Sequence, residues 1–202
     1  LLPRRGSAQD ISWHEVDPCY VFHPMNGYED SQGRVVLDVV RHPRMFASDT
    51  LGPNEGTATL DRWIIDRNKT KVYESRLDDE GQEFPRISEC LTGKPYRYGY
   101  CVTLGAGFSV GGLIKHDLQA ARKQTYSEGA ARMFLEPVFV PKPGATAEDD
   151  GWLMAFVYDS ATHTSDVVLL EAADIEAGPL ATIHLPVRVP FGFHGNWVPA
   201  ID

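Results

Sequence analysis

The amino-acid sequence predicts an all-β protein. Short apolar or alternating stretches rich in Val, Ile, Phe and Tyr recur along the 202 residues, and turn residues separate them at close, regular intervals. Helical periodicity is nearly absent. The predicted strands, in chain order, include "CYVFH", "RVVLDVVRH", "TATLDRWIID", "KVYESRL", "YRYGYCVTL", "FSVGGLIKHDL", "PVFVP", "WLMAFVYD", "DVVLLEA" and "LATIHLP".

A loose repeat within these strands favours a β-propeller. Three segments read as strand, aspartate, polar loop and strand, and their aspartates are Asp66, Asp117 and Asp159. An aspartate that leaves a strand suits a turn because its carboxylate accepts nearby backbone N–H groups. A period of roughly 40 to 50 residues with several strands per unit is typical of propeller blades. A β-sandwich is the alternative, because hairpins with aspartate in the turn occur in any antiparallel protein.

The length of the chain and its first residues predict part of a larger propeller. At roughly 40 to 50 residues per four-stranded blade, 202 residues supply about four blades. The sequence begins "LLPRRGSAQDISW", without an initiator methionine or a signal-peptide pattern. We therefore expect the chain to supply the later blades of a larger ring.

Composition narrows the classes of function. With 43% hydrophobic and 23% charged residues, the chain resembles an ordinary globular protein. A net charge of −9 argues against a nucleic-acid partner, which requires clustered Lys and Arg. The apolar runs are too short to cross a bilayer, and nothing in the sequence supports contact with a membrane surface. Three cysteines without CxxC spacing indicate neither a disulfide framework nor a zinc knuckle, so we expect a cytoplasmic location.

Two of the seven histidines stand out by their context. His23 lies where a predicted strand turns, after "CYVF", and His194 lies between Gly192 and Gly195 in "FGFHGNW". No HExxH or His-x-His motif is present, so any metal site must assemble from distant segments. A structural role remains the alternative for an isolated histidine. Four others have ordinary interpretations as strand, loop or pre-proline residues: His42, His116, His163 and His184.

Two glutamates are candidates for supporting such histidines. Glu83 in "QEFPRI" and Glu136 in "FLEPVFVP" each precede an apolar, strand-like stretch. A carboxylate that accepts the Nδ1–H of a histidine fixes the tautomer and leaves Nε2 free for a metal. An exposed glutamate at a strand edge is the alternative in both cases.

Five blocks in order resemble the C-terminal part of the carotenoid oxygenase family, which includes carotenoid and apocarotenoid cleavage dioxygenases and bacterial lignostilbene dioxygenases. The blocks lie between residues 13 and 197: "WHEVDPCYVFHPMNGYED", "EFPRI", "YRYGYCV", "EPVFVPKPGATAEDDGWLMAFVYD" and "LPVRVPFGFHGNW". The resemblance implies a seven-bladed propeller with Fe(II) on its axis. Residues 1–202 are then the C-terminal portion of a single propeller domain.

The resemblance also assigns roles to individual residues. Members of the family hold the iron with four histidines, of which the third and fourth correspond to His23 and His194. The first two come from family segments that precede the part resembled by residues 1–202. Glu83 and Glu136 correspond to glutamates that support the ligand histidines, with Glu83 expected to bond His23 and Glu136 to bond His194. No catalytic residue beyond the metal ligands is implied.

The activity implied is oxygen-dependent cleavage of an alkene C=C bond into two carbonyl products. The partners are then an apolar small molecule of the carotenoid, apocarotenoid or stilbene type and O2, with Phe22 beside His23 as a candidate substrate contact. A non-catalytic propeller that binds an apolar or aromatic ligand is the alternative. We further expect Gly192 and Gly195 to permit close backbone approach to the axis, with Phe193 and Trp197 packed beneath.

Overall fold

The computed structural model describes residues 1–48, 50, 55–105 and 109–199, and within these ranges it is almost entirely β-structure. Its helical segments are three short 3-10 turns, at Ala8–Asp10, Glu89–Leu91 and Ile175–Ala177. Among the described residues, no helix is long and apolar enough to span a membrane. The strands are β1 Pro24–Glu29, β2 Val35–Arg41, β3 Thr59–Ile65, β4 Tyr73–Asp78, β5 Gln82–Arg86, β6 Tyr98–Leu104, β7 Val110–Asp117, β8 Arg122–Tyr126, β9 Arg132–Phe134, β10 Val138–Pro141, β11 Gly151–Asp159, β12 Thr164–Glu171 and β13 Pro179–His184.

The strands form three consecutive antiparallel sheets. The first has the order β1-β2-β3-β4, the second β5-β6-β7-β8, and the third β10-β11-β12-β13 with the short β9 paired to β11. Each sheet is built from strands that follow one another in sequence, which is the arrangement of propeller blades. The described residues thus make three sheets, and residues 1–23 and 185–199 run as arms outside the named strands.

The alternating pattern of the strands explains where the core lies. Along β11 every second residue from Gly151 to Val157 is buried, which places one face of the strand against the interior. The main cluster joins the second and third sheets and includes Tyr100, Leu113, Phe134 and Leu153. A smaller cluster joins the first and second sheets and includes Met25, Leu60 and Ile114.

The three repeat aspartates lie in hairpin turns, as predicted. The Oδ1 of Asp66 accepts the N–H of Asn68 at 3.0 Å, and Asp117 accepts the N–H of Ala120 at 3.0 Å. The Oδ1 of Asp159 accepts the N–H of Ala161 at 2.8 Å. Each carboxylate therefore closes the turn that follows β3, β7 or β11.

The first strands of the three sheets begin near one another, and they carry the candidate residues. His23 directly precedes β1, Glu83 is the second residue of β5, and Glu136 lies just before β10. His194 comes from residues 185–199, which we call the C-terminal arm. The fold thus brings four residues from distant parts of the sequence to one place.

Candidate metal centre

His23 and His194 meet at the centre of this cluster. Their Nε2 atoms are 3.2 Å apart, although the residues are separated by 171 positions, and their rings are nearly perpendicular at 80°. This spacing is close to the roughly 3 Å expected for two imidazole nitrogens bound to one metal, by analogy with histidine–zinc bond lengths.

Glu83 holds the His23 ring from the protein interior. Its Oε2 accepts the Nδ1–H of His23 at 2.6 Å and the N–H of Phe84 at 2.5 Å. Its Oε1 accepts the Nε2–H of His42 at 2.9 Å. Only 2% of the Glu83 side chain is exposed, so three donors satisfy a carboxylate that water hardly reaches.

The shifts in pKa follow from these bonds. Burial acts to raise the pKa of Glu83, but the hydrogen bonds from His23, His42 and Phe84 outweigh burial, so the pKa lies below its ordinary value. The hydrogen bond to Glu83 raises the pKa of His23, and partial burial opposes that rise. The carboxylate is therefore ionised at neutral pH, as a fixed acceptor for Nδ1–H requires.

Glu136 and Arg86 hold His194 from the other side. The Oε1 of Glu136 accepts the Nδ1–H of His194 at 3.1 Å, and its Oε2 accepts the N–H of Gly195 at 3.1 Å. The Nη1 of Arg86 lies 2.9 Å from the same Oε2. His23 therefore pairs with Glu83 and His194 with Glu136, as the family resemblance implied.

The donor atoms suit a cation. Because each Nδ1–H donates to a carboxylate, each neutral ring presents an unprotonated Nε2. Two such lone pairs at 3.2 Å repel one another unless a proton or a metal ion lies between them. Within the described ranges, no group of three or more His, Cys, Asp or Glu side chains is arranged to hold a metal. His23 and His194 therefore fit two positions in the coordination of a metal ion.

Aromatic and apolar surface adjoins the histidines. The Phe84 ring lies 5.4 Å from the ring of His23 and 6.2 Å from that of His194. Phe22 lies 6.2 Å from the ring of His23 and 4.7 Å from that of Tyr20. A cavity of about 330 Å³ opens beside His194, and its apolar lining includes Val138, Met154, Phe156, Val167 and Phe193.

The expected role of the two glycines in the arm is wrong for the described residues. A Cβ added at Gly192 or Gly195 meets no atom within 4 Å, and neither residue has the positive φ that favours glycine. Phe193 is 77% exposed and Trp197 is 47% exposed, so these rings are not packed beneath the histidine. The reason is that this arm crosses the surface of the described sheets. Gly195 contributes through its backbone groups, which any residue possesses.

Sequence reasoning missed two residues of this cluster. His42 was interpreted as an ordinary residue before a proline, yet it is buried and bonds Glu83. Arg86 was not predicted to belong to the site, although it stands three positions after Glu83 in the same "EFPRI" block. That proximity was the available signal for Arg86. The contact of His42 depends on the pairing of distant segments and has no local signature.

Comparisons with known proteins identify the family of the chain. The family model for retinal pigment epithelial membrane protein matches residues 1–199. The chain is 41% identical to a carotenoid cleavage oxygenase of Mycobacterium tuberculosis and 33% identical to the apocarotenoid-15,15'-oxygenase of Synechocystis, with 98% of the chain and 42% of each relative covered. It is 29% identical to the isoeugenol monooxygenase of Pseudomonas nitroreducens, covering 98% of the chain and 45% of that protein.

A solved structure shows the same fold. The cobalt-substituted apocarotenoid oxygenase of Synechocystis superimposes with a TM-score of 0.91 at 31% identity, covering 98% of this chain and 43% of that one. The chain thus spans less than half the length of these relatives. Its consecutive antiparallel sheets are blades of a β-propeller, and the sandwich alternative is excluded. The chain belongs to the carotenoid oxygenase family, whose family model it matches over nearly its whole length.

Proposed function

We propose that the protein containing this chain is an Fe(II)-dependent dioxygenase that cleaves an alkene C=C bond. His23 and His194 would hold the iron together with two histidines from segments N-terminal to these residues. The observation that carries the proposal is the pair of Nε2 atoms 3.2 Å apart, each on a ring whose Nδ1 bonds a glutamate. Four neutral imidazoles leave positions open for O2, and the bound iron would supply its activation.

The residues of this chain would orient ligands and exclude water. Glu83 and Glu136 fix the tautomer and the angle of each imidazole, which keeps both Nε2 atoms directed at one point. Phe84 and Phe22 present aromatic surface beside the rings, and the cavity next to His194 adds an apolar lining of its own. An apolar site of this kind favours a hydrocarbon chain over water.

The names of the relatives indicate the class of substrate. They are called carotenoid cleavage oxygenase, apocarotenoid-15,15'-oxygenase and isoeugenol monooxygenase. All three names fit a conjugated apolar alkene. The reaction we propose balances as one alkene and one O2 giving two carbonyl products, with no further reductant. Carotenoids and apocarotenoids are the first substrates to test, and stilbenes are the second.

The placement of the chain within the protein is part of this proposal. We infer that residues 1–202 form the C-terminal portion of a single propeller domain, which is consistent with their covering 42% of the curated relatives. The chain by itself would then hold two of four iron ligands and lack activity. The cytoplasmic location and the absence of a nucleic-acid partner remain predictions from composition.

The test uses the full-length protein that contains this chain. Metal is removed with a chelator, and Fe(II) or Zn(II) is restored before an apocarotenoid, a carotenoid or a stilbene is added. We expect O2 consumption and two carbonyl products only with Fe(II). Tight binding of these alkenes with no O2 consumption under any metal would instead identify a non-catalytic binding propeller.

A further inference from the structure

The C-terminal arm that carries His194 has few supports. Residues 185–199 belong to none of the described strands, and the side chain of His194 is 54% exposed. The arm is attached near its start, where Ser165 accepts the N–H groups of Leu185 and Val189. Arg188 also lies over the ring of Tyr158, with its guanidinium carbon 4.9 Å from the ring centroid. These contacts precede His194 and do not fix its ring.

Arg86 provides the support at the histidine itself. Its Nη1 lies 2.9 Å from the Oε2 of Glu136 and donates to the carbonyl oxygen of Gly195 at 2.9 Å. Its Nη2 donates to the Oδ1 of Asn196 at 3.2 Å and to Glu89 at 2.7 Å. One guanidinium therefore contacts both the glutamate that bonds His194 and the two residues that follow His194. The Arg86 side chain is only 13% exposed, so water competes weakly for these bonds.

A bulge in β5 brings Arg86 to the site. Residues three apart on a regular strand face opposite sides of the sheet. The pairing of β5 with β6 shifts register between Glu83 and Arg86, and Phe84 adopts a positive φ of 53°. As a result, Glu83 and Arg86 both reach the cluster, one at each histidine. A left-handed backbone conformation is unfavourable for phenylalanine, so the surrounding contacts must hold Phe84 in it.

We propose that Arg86 is the positioning residue for His194. Its planar fork joins Glu136, the backbone of Gly195 and the side chain of Asn196 into one unit, so that the arm holds the His194 ring toward His23. A lysine has one compact ammonium group and cannot span the same acceptors in this geometry. The role as a support for a metal ligand rests on the function proposed above. The role in ordering the arm does not depend on it.

The test compares four forms of the full-length protein: wild type, Arg86→Met, Arg86→Lys and Arg97→Met. Arg97 is the matched control, because it forms a two-bond pair with Asp117 in the same sheet and has no described contact with the arm. Hydrogen exchange of the arm amides is measured on metal-free protein. Cobalt(II) affinity is then measured by absorption titration.

In Arg86→Met we expect the amides of residues 191–198 to exchange about 10-fold faster, because the arm opens more often. Cobalt affinity should fall by about 10-fold, in the range usual for loss of a group that orients a metal-bound histidine. Arg86→Lys should lie between wild type and Arg86→Met on both measures. Arg97→Met should match wild type on both.

If Arg86→Met folds and the amides of its arm exchange at the wild-type rate, the inference is overturned. If Arg86→Met does not fold, the same comparison is made with Arg86→Lys. If Arg86→Lys matched wild type in both arm exchange and cobalt affinity, the geometry of the guanidinium group would not be required. A third outcome is that the arm of Arg86→Met exchanges faster than in wild type while wild type binds no cobalt. This result would support the role of Arg86 in ordering the arm and reject the proposed metal site.

Discussion

The two halves of the candidate metal centre differ in how the chain supports them. His23 stands at the start of a strand with 23% of its side chain exposed, and its glutamate is 2% exposed and bonded at 2.6 Å. His194 lies on an arm with 54% of its side chain exposed, and its glutamate bond is 3.1 Å. The first half is part of the sheets. The second half is attached to them through Glu136 and Arg86.

This difference separates the effect of a mutation on the metal site from its effect on the stability of the sheets. Groups in the buried half contribute to the stability of the sheets as well as to the site, because their loss leaves buried donors without acceptors. Groups in the arm make few contacts with the described sheets, so we expect them to contribute less to the free energy of unfolding than groups in the buried half. Variants of the two halves should therefore match in activity and differ in stability.

The largest expected effect is on cleavage by His23→Ala and His194→Ala. Each variant of the full-length protein should lose more than about 100-fold in turnover, beyond the range for groups that only orient a ligand. His23→Ala should also lower the free energy of unfolding by about 1–2 kcal/mol, because Glu83 loses a partner. His194→Ala should change it by less than about 0.5 kcal/mol. Alkene cleavage assays and denaturant unfolding measure the two effects, and equal destabilisation would remove the contrast.

The next effect concerns the two glutamates. In Glu83→Gln an NH2 group replaces one carboxylate oxygen. At least one of the three N–H donors around Glu83 then faces another donor instead of an acceptor. We expect a loss of about 1–3 kcal/mol in the free energy of unfolding, together with weaker metal retention. Glu136→Gln should weaken metal retention by about 10- to 100-fold. Its effect on unfolding should be smaller than that of Glu83→Gln, and a reversed order would contradict the comparison.

The third prediction concerns pH and the sheet that carries Glu83. His116 on β7 bonds Gln82 at 2.7 Å, and burial lowers the pKa of His116 to about 4 despite the nearby carboxylate of Asp78. Below pH 6.5 the unfolded chain binds a proton at this histidine that the folded protein does not bind. The contribution of His116 to stability should therefore fall as the pH drops from about 6.5 to about 4, by up to about 3 kcal/mol, and this contribution then levels off. In His116→Gln, thermal midpoints between pH 7.5 and pH 4.5 should fall less than in wild type.

The smallest effect is expected for Asn196→Ala in the arm. This change removes the longer of the two bonds from Arg86 to the arm, at 3.2 Å, and leaves the bond to the Gly195 carbonyl oxygen. We expect a cost of about 0.5 kcal/mol, which corresponds to roughly twofold weaker metal binding. The thermal midpoint should not change. A loss as large as that in Arg86→Met would show that Asn196, rather than the guanidinium fork, dominates the support of the arm.

Strand composition and turn chemistry were sufficient to predict the all-β fold and the three aspartate turns, because both are local properties. The extent of the arms was not predicted, because residues 1–23 and 185–199 carry no local pattern that separates them from the sheets. The positions of His23, His194, Glu83 and Glu136 followed from the family resemblance. Spacing alone gave no reason to pair residues 171 positions apart.

The remaining contacts depend on tertiary geometry. His42 reaches Glu83 only because the segment after β2 pairs with Tyr20 and lies against β5. Arg86 reaches the arm only because β5 contains a bulge, and a regular strand pattern places Glu83 and Arg86 on opposite faces. The glycines around His194 led to a wrong expectation, because glycine suggests close approach wherever it flanks a functional residue.

Metal content is the most direct test of the claim that His23 and His194 are ligands of one metal ion. Iron per polypeptide would be measured on the full-length protein as wild type, His23→Ala, His194→Ala and the control His163→Asn. His163 lies in the turn after β11 and bonds the Tyr158 hydroxyl, and it has no described contact with His23 or His194. We predict one iron per polypeptide in wild type and in the control, and little iron in either of the other variants. Iron retained at the wild-type level by His23→Ala or His194→Ala would contradict the account.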